Sequence, residues 1–249
     1  MKIINSIDNS LIKDLVKLKE SKYRKEKEQF LIEGFHLIEE AKKQNKLLMI
    51  LITQDIANKI EDFSNIIIVN EQIIKKISAT VNPQPIIGVC SFLDYSYEVD
   101  KNLVVMLDKI QDPTNLGNII RSCVAFNVQT LYISNDSVDI YNDKVIRTSM
   151  GAIFHLNIIK TNLELVIASI KDKGFKVYGT VFKEANNRLR DVNFNNQVAL
   201  LFGNEGKGIN SHLWPLIDDN FYIPTSNGVE SLNVANALTI SLYEIMNQN

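Results

Sequence analysis

The sequence predicts an α/β protein with two domains. The chain has 249 residues, of which 45% are apolar and 22% charged, so it can bury a sizeable core in one large domain or two modest ones. Apolar runs of strand length alternate with segments of helical period along the chain. The stretch 93–102 lacks that period and contains Asp and Asn, which is typical of a linker. We therefore expect a first domain at 1–93, a linker at 94–102 and a second domain at 103–249.

Strands and helices alternate in the first domain. The compact apolar runs 47–53 and 65–69 are typical of buried strands, and apolar residues recur at helical spacing over 10–20. The patterns predict, in chain order, helix 10–20, strand 29–34, helix 36–43, strand 47–53, strand 65–69, helix 71–78 and strand 85–92.

The alternation resumes in the second domain, where it predicts a mainly parallel sheet. The expected elements are strand 103–109, helix 115–127, strand 130–133, helix 142–149, strand 156–160, helix 162–172, strand 176–181, strand 197–202, strand 221–223 and a closing helix 231–246.

Charge gives an ambiguous indication about nucleic acid. The formal net charge of −2 argues against a whole-protein basic footprint. Within 13–28, however, seven Lys and Arg residues face four acids, with Tyr23 among them. That segment is either a solvated helix of mixed charge or a basic surface for a phosphate backbone.

Several classes of protein are disfavoured. Cys90 and Cys123 form no C-x-x-C pair or disulfide framework, and the first residues lack the apolar core of a signal peptide. The apolar run 47–52 is too short to span a bilayer. The three histidines are scattered, so no metal site is expected. These features favour a reduced, cytoplasmic protein without membrane or metal.

The first motif is DPTNLGNIIRS (112–122), which follows a predicted strand. Pro113 suits the first turn of a helix, on which Asn115, Asn118 and Arg121 recur at every third position. Ligands of open α/β sheets bind at the carboxyl ends of strands, so this polar stripe is a candidate site. A solvated helix face explains the same pattern.

The second motif, GNEGKGI (203–209), follows the apolar run 197–202. Its glycines let the backbone approach a ligand closely. The order is not that of a dinucleotide fingerprint, and Ile209 and Asn210 stand where a P-loop requires Lys and Ser or Thr, which excludes that class of NTPase. Glu205 would repel phosphate and favours a cationic or hydroxyl-bearing ligand. A glycine-rich turn without a ligand is the plain alternative.

The third motif lies in FYIPTSNGVESLNVANALTISL (221–242). A short strand meets Pro224, and Glu230 and Ser231 open a long helix whose first N–H groups are free to bind. Asn233 and Asn236 repeat the amide spacing of three. The alternative is a core helix whose amides are satisfied internally.

The three motifs together, in this order, resemble the SpoU (TrmH-like) family of RNA ribose 2′-O-methyltransferases in the SPOUT superfamily. The resemblance covers 103–246 and includes RTSMGAIFHL at 147–156. The first ninety or so residues resemble the small L30e-like substrate-binding domain that many members carry. Thr225, Asn227 and Asn157 depart from residues that are frequent in the family.

The resemblance implies a SPOUT-type α/β domain with a deep trefoil knot that holds S-adenosylmethionine. The residues carried over to the cofactor site are Thr180, Phe202, Gly203, Glu205, Gly206, Ile223, Pro224, Ser231, Leu232 and Asn233. Glycines and apolar residues suit an adenosine held against main chain.

The residues carried over to the catalytic centre are Asn115, Arg121, Glu205 and Asn233. Because a guanidinium keeps its proton, Arg121 is better suited to holding a phosphate and stabilising a developing alkoxide than to acting as a base. Asn115 and Glu205 would orient the hydroxyl and the arginine.

The resemblance does not identify the class of RNA that is methylated. rRNA is favoured by the front domain and its basic segment; a tRNA methyltransferase and a non-catalytic ribosome-assembly factor that binds RNA are the alternatives. A homodimer that packs on the last helix is also implied.

Overall fold

The chain forms two compact units in a computed structural model that describes residues 2–60, 63–95, 102–181, 187–194, 197–226 and 231–248. The first unit is Met1–Asp94 together with Asp139–Phe154, and the second is Tyr95–Val138 together with His155–Asn249. The expected linker lies mostly outside the described residues, as do Asn227 and Glu230.

The first unit is a five-stranded sheet with helices. Its strands are β1 (Lys2–Ile4), β2 (Gln29–Glu33), β3 (Leu47–Thr53), β4 (Ile66–Val69) and β5 (Ile86–Ser91), in the order β1-β4-β3-β5-β2. β5 runs antiparallel to both its neighbours, and the other pairs are parallel. Its helices are α1 (Ser10–Lys17), α2 (Ser21–Lys27), α3 (Phe35–Lys43), α4 (Glu71–Ile77) and α6 (Asp143–Ser149).

Apolar stripes on α1 and α4 form the core of this unit with the sheet. Ile12 and Leu15 of α1 and Ile73 of α4 are almost fully buried in one cluster with strand residues. The apolar period that predicted these helices is therefore the buried face. β1 was not predicted, because three residues show too little alternation to be recognised.

Arg24 is buried in the first unit, so it cannot contribute to the basic surface that was one of the two interpretations of segment 13–28. Its Nη2 lies 2.6 Å from Asp139 Oδ2, and its Nη1 donates to the carbonyls of Leu18 and Lys19. The segment that carries Asp139 was predicted inside the second domain, but it groups with the first unit.

The second unit is a seven-stranded sheet in which every pair is parallel, as the alternation predicted. Its strands are β6 (Leu103–Leu107), β7 (Thr130–Ser134), β8 (Asn157–Thr161), β9 (Lys176–Thr180), β10 (Asn187–Arg188), β11 (Val198–Phe202) and β12 (Asp219–Tyr222), in the order β10-β12-β9-β11-β6-β7-β8. Its helices are α5 (Pro113–Ala125), α7 (Leu163–Lys171) and α8 (Val234–Gln248).

The closing helix begins three residues later than predicted. The side chain of Asn233 accepts a hydrogen bond from Ala235 N at 2.9 Å, and its carbonyl accepts one from Ala237 N. Asn233 therefore precedes the helix as a cap rather than lying within it. β10 was not predicted, because two residues carry no period.

No helix among the described residues is both long enough and apolar enough to cross a membrane.

Candidate active site

The first motif forms the N-terminus of α5, directly after β6. Asp112 caps the helix by accepting a hydrogen bond from Thr114 N, and Pro113 occupies the first turn. This start turns Asn115 inward, where it is 8% exposed.

Asn115, Glu205 and Asn233 are joined by hydrogen bonds. Glu205 Oε1 accepts from Asn115 Nδ2 at 3.0 Å, and Asn115 Oδ1 accepts from Asn233 Nδ2 at 2.8 Å. Glu205 also accepts from the backbone N–H groups of Gln111 and Asp112, at 3.4 and 3.2 Å. The carboxylate at the helix N-terminus thus fixes the amide, and the three motifs meet at one point.

The second motif forms a tight loop that only glycine permits at two positions. A Cβ on Gly203 would lie 2.1 Å from the backbone of both Gly208 and Ile209, and Gly208 itself has φ +70°. Backbone hydrogen bonds pair Asn204 with Gly208, at 3.0 and 2.9 Å. A Cβ on Gly206 meets only Asn204 Oδ1, at 3.8 Å.

A cavity opens beside this loop. Most residues that the resemblance assigned to the cofactor line it, namely Thr180, Phe202, Gly203, Glu205, Ile223, Ser231, Leu232 and Asn233, and Asn115 joins them. Among the described residues, Gly206 and Pro224 were assigned to the cofactor but do not belong to the lining. The lining also includes residues that were not predicted: Val181, Asn204, Gly208, Phe221, Val234 and Ala237. Asn204 and Gly208 belong to the quoted glycine motif, so the motif could have indicated them.

α5 and α8 run parallel beside the cavity. Asn115 bonds Asn233 near the start of both helices, and Ser122 Oγ lies 2.7 Å from Thr239 Oγ1 about two turns further along both. Two contacts that advance in the same direction show that both helices point the same way. The N-terminal ends of the two helices therefore lie on the same side, at the cavity.

The three residues of the polar stripe in the first motif do not lie on one face of α5. Asn115 is buried, whereas Asn118 and Arg121 are exposed. Each step of three residues turns the side chain by about 60°, so six residues turn it by about 120°. Arg121 makes no hydrogen bond or ion pair with any residue that the structure describes, and the residue is exposed.

Within the described part of the chain, no three His, Cys, Asp or Glu side chains come together in a way that could hold a metal ion.

Comparisons with known proteins cover nearly the whole chain. A sequence model of the SpoU rRNA Methylase family matches residues 102–243, and one of the MRM3-like substrate binding domain matches 9–88. The 23S rRNA (guanosine(2553)-2'-O)-methyltransferase RlmP of Bacillus subtilis (strain 168) is 32% identical over 98% of this chain and 99% of its own length. An uncharacterised tRNA/rRNA methyltransferase of Synechocystis sp. is 30% identical, over 98% of this chain and 93% of its own.

Solved structures agree with these sequence matches. The AdoMet-bound rRNA methyltransferase from Sinorhizobium meliloti superposes with a TM-score of 0.87 at 28% identity, covering 99% of this chain and 97% of that one. The SpoU methyltransferase AviRb of Streptomyces viridochromogenes, at 22% identity and a TM-score of 0.86 over 96% and 98% of the two chains, shares the fold. Motifs, fold and both kinds of comparison lead to one conclusion: the chain belongs to the SpoU rRNA methylase family.

Proposed function

We propose that this chain transfers a methyl group from S-adenosylmethionine to a ribose 2′-hydroxyl in structured RNA, and that its substrate is rRNA. The observation that carries the proposal is the Asn115–Glu205–Asn233 network at the edge of a cavity, in a chain of this family. The family makes the chain an RNA methyltransferase with S-adenosylmethionine as its methyl donor.

The cavity has the chemistry that S-adenosylmethionine requires. Phe202, Ile223 and Leu232 provide apolar surface for an adenosine, and the glycine loop presents main chain that no side chain covers. Glu205 places a carboxylate in the lining, which favours a cationic sulfonium group over a phosphate. When bound, the cofactor supplies an activated methyl group at the sulfonium.

The network has the role of orienting the acceptor hydroxyl. Both ends of the Asn115 amide are bonded, to Glu205 and to Asn233, so its position is determined before RNA binds. Methyl transfer is a single in-line displacement, which makes the rate sensitive to how well the reacting groups are held. We assign Asn115, Glu205 and Asn233 to this positioning.

Arg121 acts from the RNA side. It lies about 9 Å further along α5 than Asn115, because a helix rises 1.5 Å per residue. Exposed and unpaired among the described residues, it can bind the phosphate next to the target ribose. A guanidinium keeps its charge, so it stabilises the negative charge that develops on the ribose oxygen, whose proton passes to solvent water.

Transfer of radiolabelled methyl groups to total rRNA and tRNA, followed by mapping of 2′-O-methylated sites with and without the protein, tests the function. Label in rRNA supports the proposal, label in tRNA alone supports the tRNA alternative, and a ribosome-assembly factor that only binds RNA leaves no label.

Arg121→Ala should abolish turnover and leave cofactor affinity unchanged in calorimetry, with exposed Asn118→Ala as the matched control. Lost cofactor affinity in Arg121→Ala would overturn its assigned role.

The proposal extends to a homodimer. Ile240, Tyr243 and Met246 on α8 are 40%, 54% and 54% exposed. An α-helix turns by about 100° per residue. Counted from the contact between Ser122 and Thr239, this rotation places Tyr243 and Arg121 on the same side of the helix pair. An exposed apolar row of this kind suits burial against a second copy. Tyr243→Lys should give a monomer in light scattering; a monomeric wild type contradicts the proposal.

Three further features belong to the same proposal. In chain order the first domain ends at 93 and the second begins at 103, although Asp139–Phe154 of the second groups with the first unit. The second domain contains a deep trefoil knot, as the family resemblance implies, and the enzyme acts in the cytoplasm.

A further inference from the structure

Asp108, directly after the last residue of β6, is a buried carboxylate. It is 3% exposed, and no ion pair joins it to any residue that the structure describes. Burial raises the pKa of Asp108, and the charge of Asp136 adds to this, while the N–H of Asn210 and the charges of Lys109 and His212 oppose it. An unpaired buried charge is costly, so its presence requires an explanation.

The contacts of Asp108 point to the glycine loop. Its Oδ2 accepts a hydrogen bond from Asn210 N at 2.8 Å, at the C-terminal end of the loop 203–210. Its own N–H donates to the Phe202 carbonyl, also at 2.8 Å, just before the loop begins. Asp108 therefore holds both ends of the loop, one through its side chain and one through its backbone.

The neighbouring residue reinforces this hold from the same side. The Lys109 carbonyl accepts from Asn204 Nδ2 at 2.8 Å. Glu205, the next residue, reaches over to the N–H groups of Gln111 and Asp112. Among these contacts, only that of Asp108 fixes the C-terminal end of the loop, opposite the close approach of Gly203 to Gly208.

We propose that Asp108 is a positioning residue that holds the 203–210 loop in the shape that binds the methyl donor. Asn204, Glu205 and Gly208 of this loop line the cavity, while Asp108 does not, so it acts through the loop. The proposal rests on the proposed function, because it assumes that the cavity binds S-adenosylmethionine.

The loop requires the Asp108 side chain as a hydrogen-bond acceptor, whereas the negative charge of that side chain lowers the stability of the folded state. A carboxyl whose pKa is raised in the folded state contributes stability at low pH that is lost as the pH rises through the folded pKa. Asp108→Asn keeps an acceptor without the charge. It should melt at a temperature equal to or higher than that of the wild type at pH 7, and the difference should shrink on acidification.

Calorimetric titration with S-adenosylmethionine tests the proposal on Asp108→Ala, Asp108→Leu and Asp108→Asn. The control is Asp136→Asn, an exposed acid that pairs with Lys109 and does not bond the loop. We expect the Kd to rise at least about tenfold for Ala and Leu, because the Asn210 N–H loses its acceptor, and to stay within about threefold for Asn and for the control. The KM for the cofactor should rise accordingly, while the KM for RNA should not.

The outcomes separate this proposal from the function on which it rests. Wild-type affinity in folded Asp108→Ala or Asp108→Leu overturns the positioning role and leaves the methyltransferase proposal intact. A tenfold loss in Asp108→Asn contradicts the claim that the acceptor suffices. A wild-type protein that does not bind S-adenosylmethionine sinks the proposed function itself. Leu, which has the same branched shape as Asp but no hydrogen-bond acceptor, provides the test if Ala does not fold.

Discussion

Two polar networks, one in each unit, are built from residues far apart in sequence but differ in how much hydrogen-bonding capacity they leave for a ligand. In the first unit, Arg24 is surrounded by Asp139 and two backbone carbonyls, so its nitrogen atoms are all engaged. In the second, Asn115, Glu205 and Asn233 bond one another and also line a cavity.

The difference distinguishes a structural network from a candidate site. A charge that is fully enclosed by partners stabilises one arrangement of the chain and has no capacity left for a ligand. Polar groups that are held by partners and still border open space are positioned to bind. Arg24 lies in the segment that the charge pattern left open as either a solvated helix or a basic surface for RNA. Its side chain borders a small cavity of the first unit, but all its nitrogen atoms are engaged, so it belongs to the first kind.

The largest effect is expected for Gly203→Ala. A Cβ there would lie 2.1 Å from backbone atoms on the far side of the loop, so the loop must change its shape. Because this loop lines the cavity, the shape of the cavity changes with it. Cofactor binding should become unmeasurable in calorimetry. In Gly206→Ala the nearest atom is 3.8 Å away, so that variant should melt like the wild type and serve as the control for the loop. Normal cofactor affinity in Gly203→Ala would contradict the cavity assignment.

The next largest effect concerns the first unit. Arg24→Ala leaves Asp139 partly buried without its partner, which should lower the free energy of unfolding by about 3 kcal/mol. Denaturant titration measures this loss, and exposed Lys25→Ala on the same helix should stay within about 0.5 kcal/mol of the wild type. Equal free energies of unfolding in the two variants would show that the Arg24 network contributes no more to stability than an exposed lysine does.

A smaller effect tests the second network. Asn115→Asp brings a second carboxylate to within hydrogen-bond distance of Glu205, at the position of a 3.0 Å contact, and the two repel. Turnover should fall about a hundredfold with labelled cofactor. The exposed Asn118→Asp, one turn away, should retain activity; equal losses in both would remove the distinction between buried and exposed members of the stripe.

The smallest effect is a dependence on pH. Burial raises the pKa of Asp139, but hydrogen bonds from Arg24, Tyr141 N and Ser21 and the Arg24 charge outweigh it, and the pKa is lowered. A lowered folded-state pKa gives stability that is present above the unfolded pKa, about 4, and is lost as the pH falls through the folded value. The stability difference between wild type and Asp139→Asn should thus narrow below about pH 4 in denaturant titrations. A constant difference argues against a charged pair.

Most of the secondary structure and the family could be predicted from the residues and their spacing. Apolar runs and periods predicted all strands but β1 and β10, and the predicted helices lie within a few residues of those in the structure, because burial of one face leaves a regular spacing in the chain. The three motifs were recognisable because each follows a strand, where parallel sheets gather their ligand-binding residues.

Only the tertiary structure shows which of the polar residues are buried and which are exposed. Asn115, Asn118 and Arg121 have the same spacing in the sequence, yet only Asn115 is buried, because packing against α8 selects one direction around the helix. Arg24 and Asp139 are 115 positions apart, so no local pattern could have paired them. In the sequence, Asp108 is recognisable only as a residue at the end of a predicted strand. Its burial and its bond to Asn210 exist only once β6 and β11 lie side by side, since contacts between distant segments leave no period in the chain.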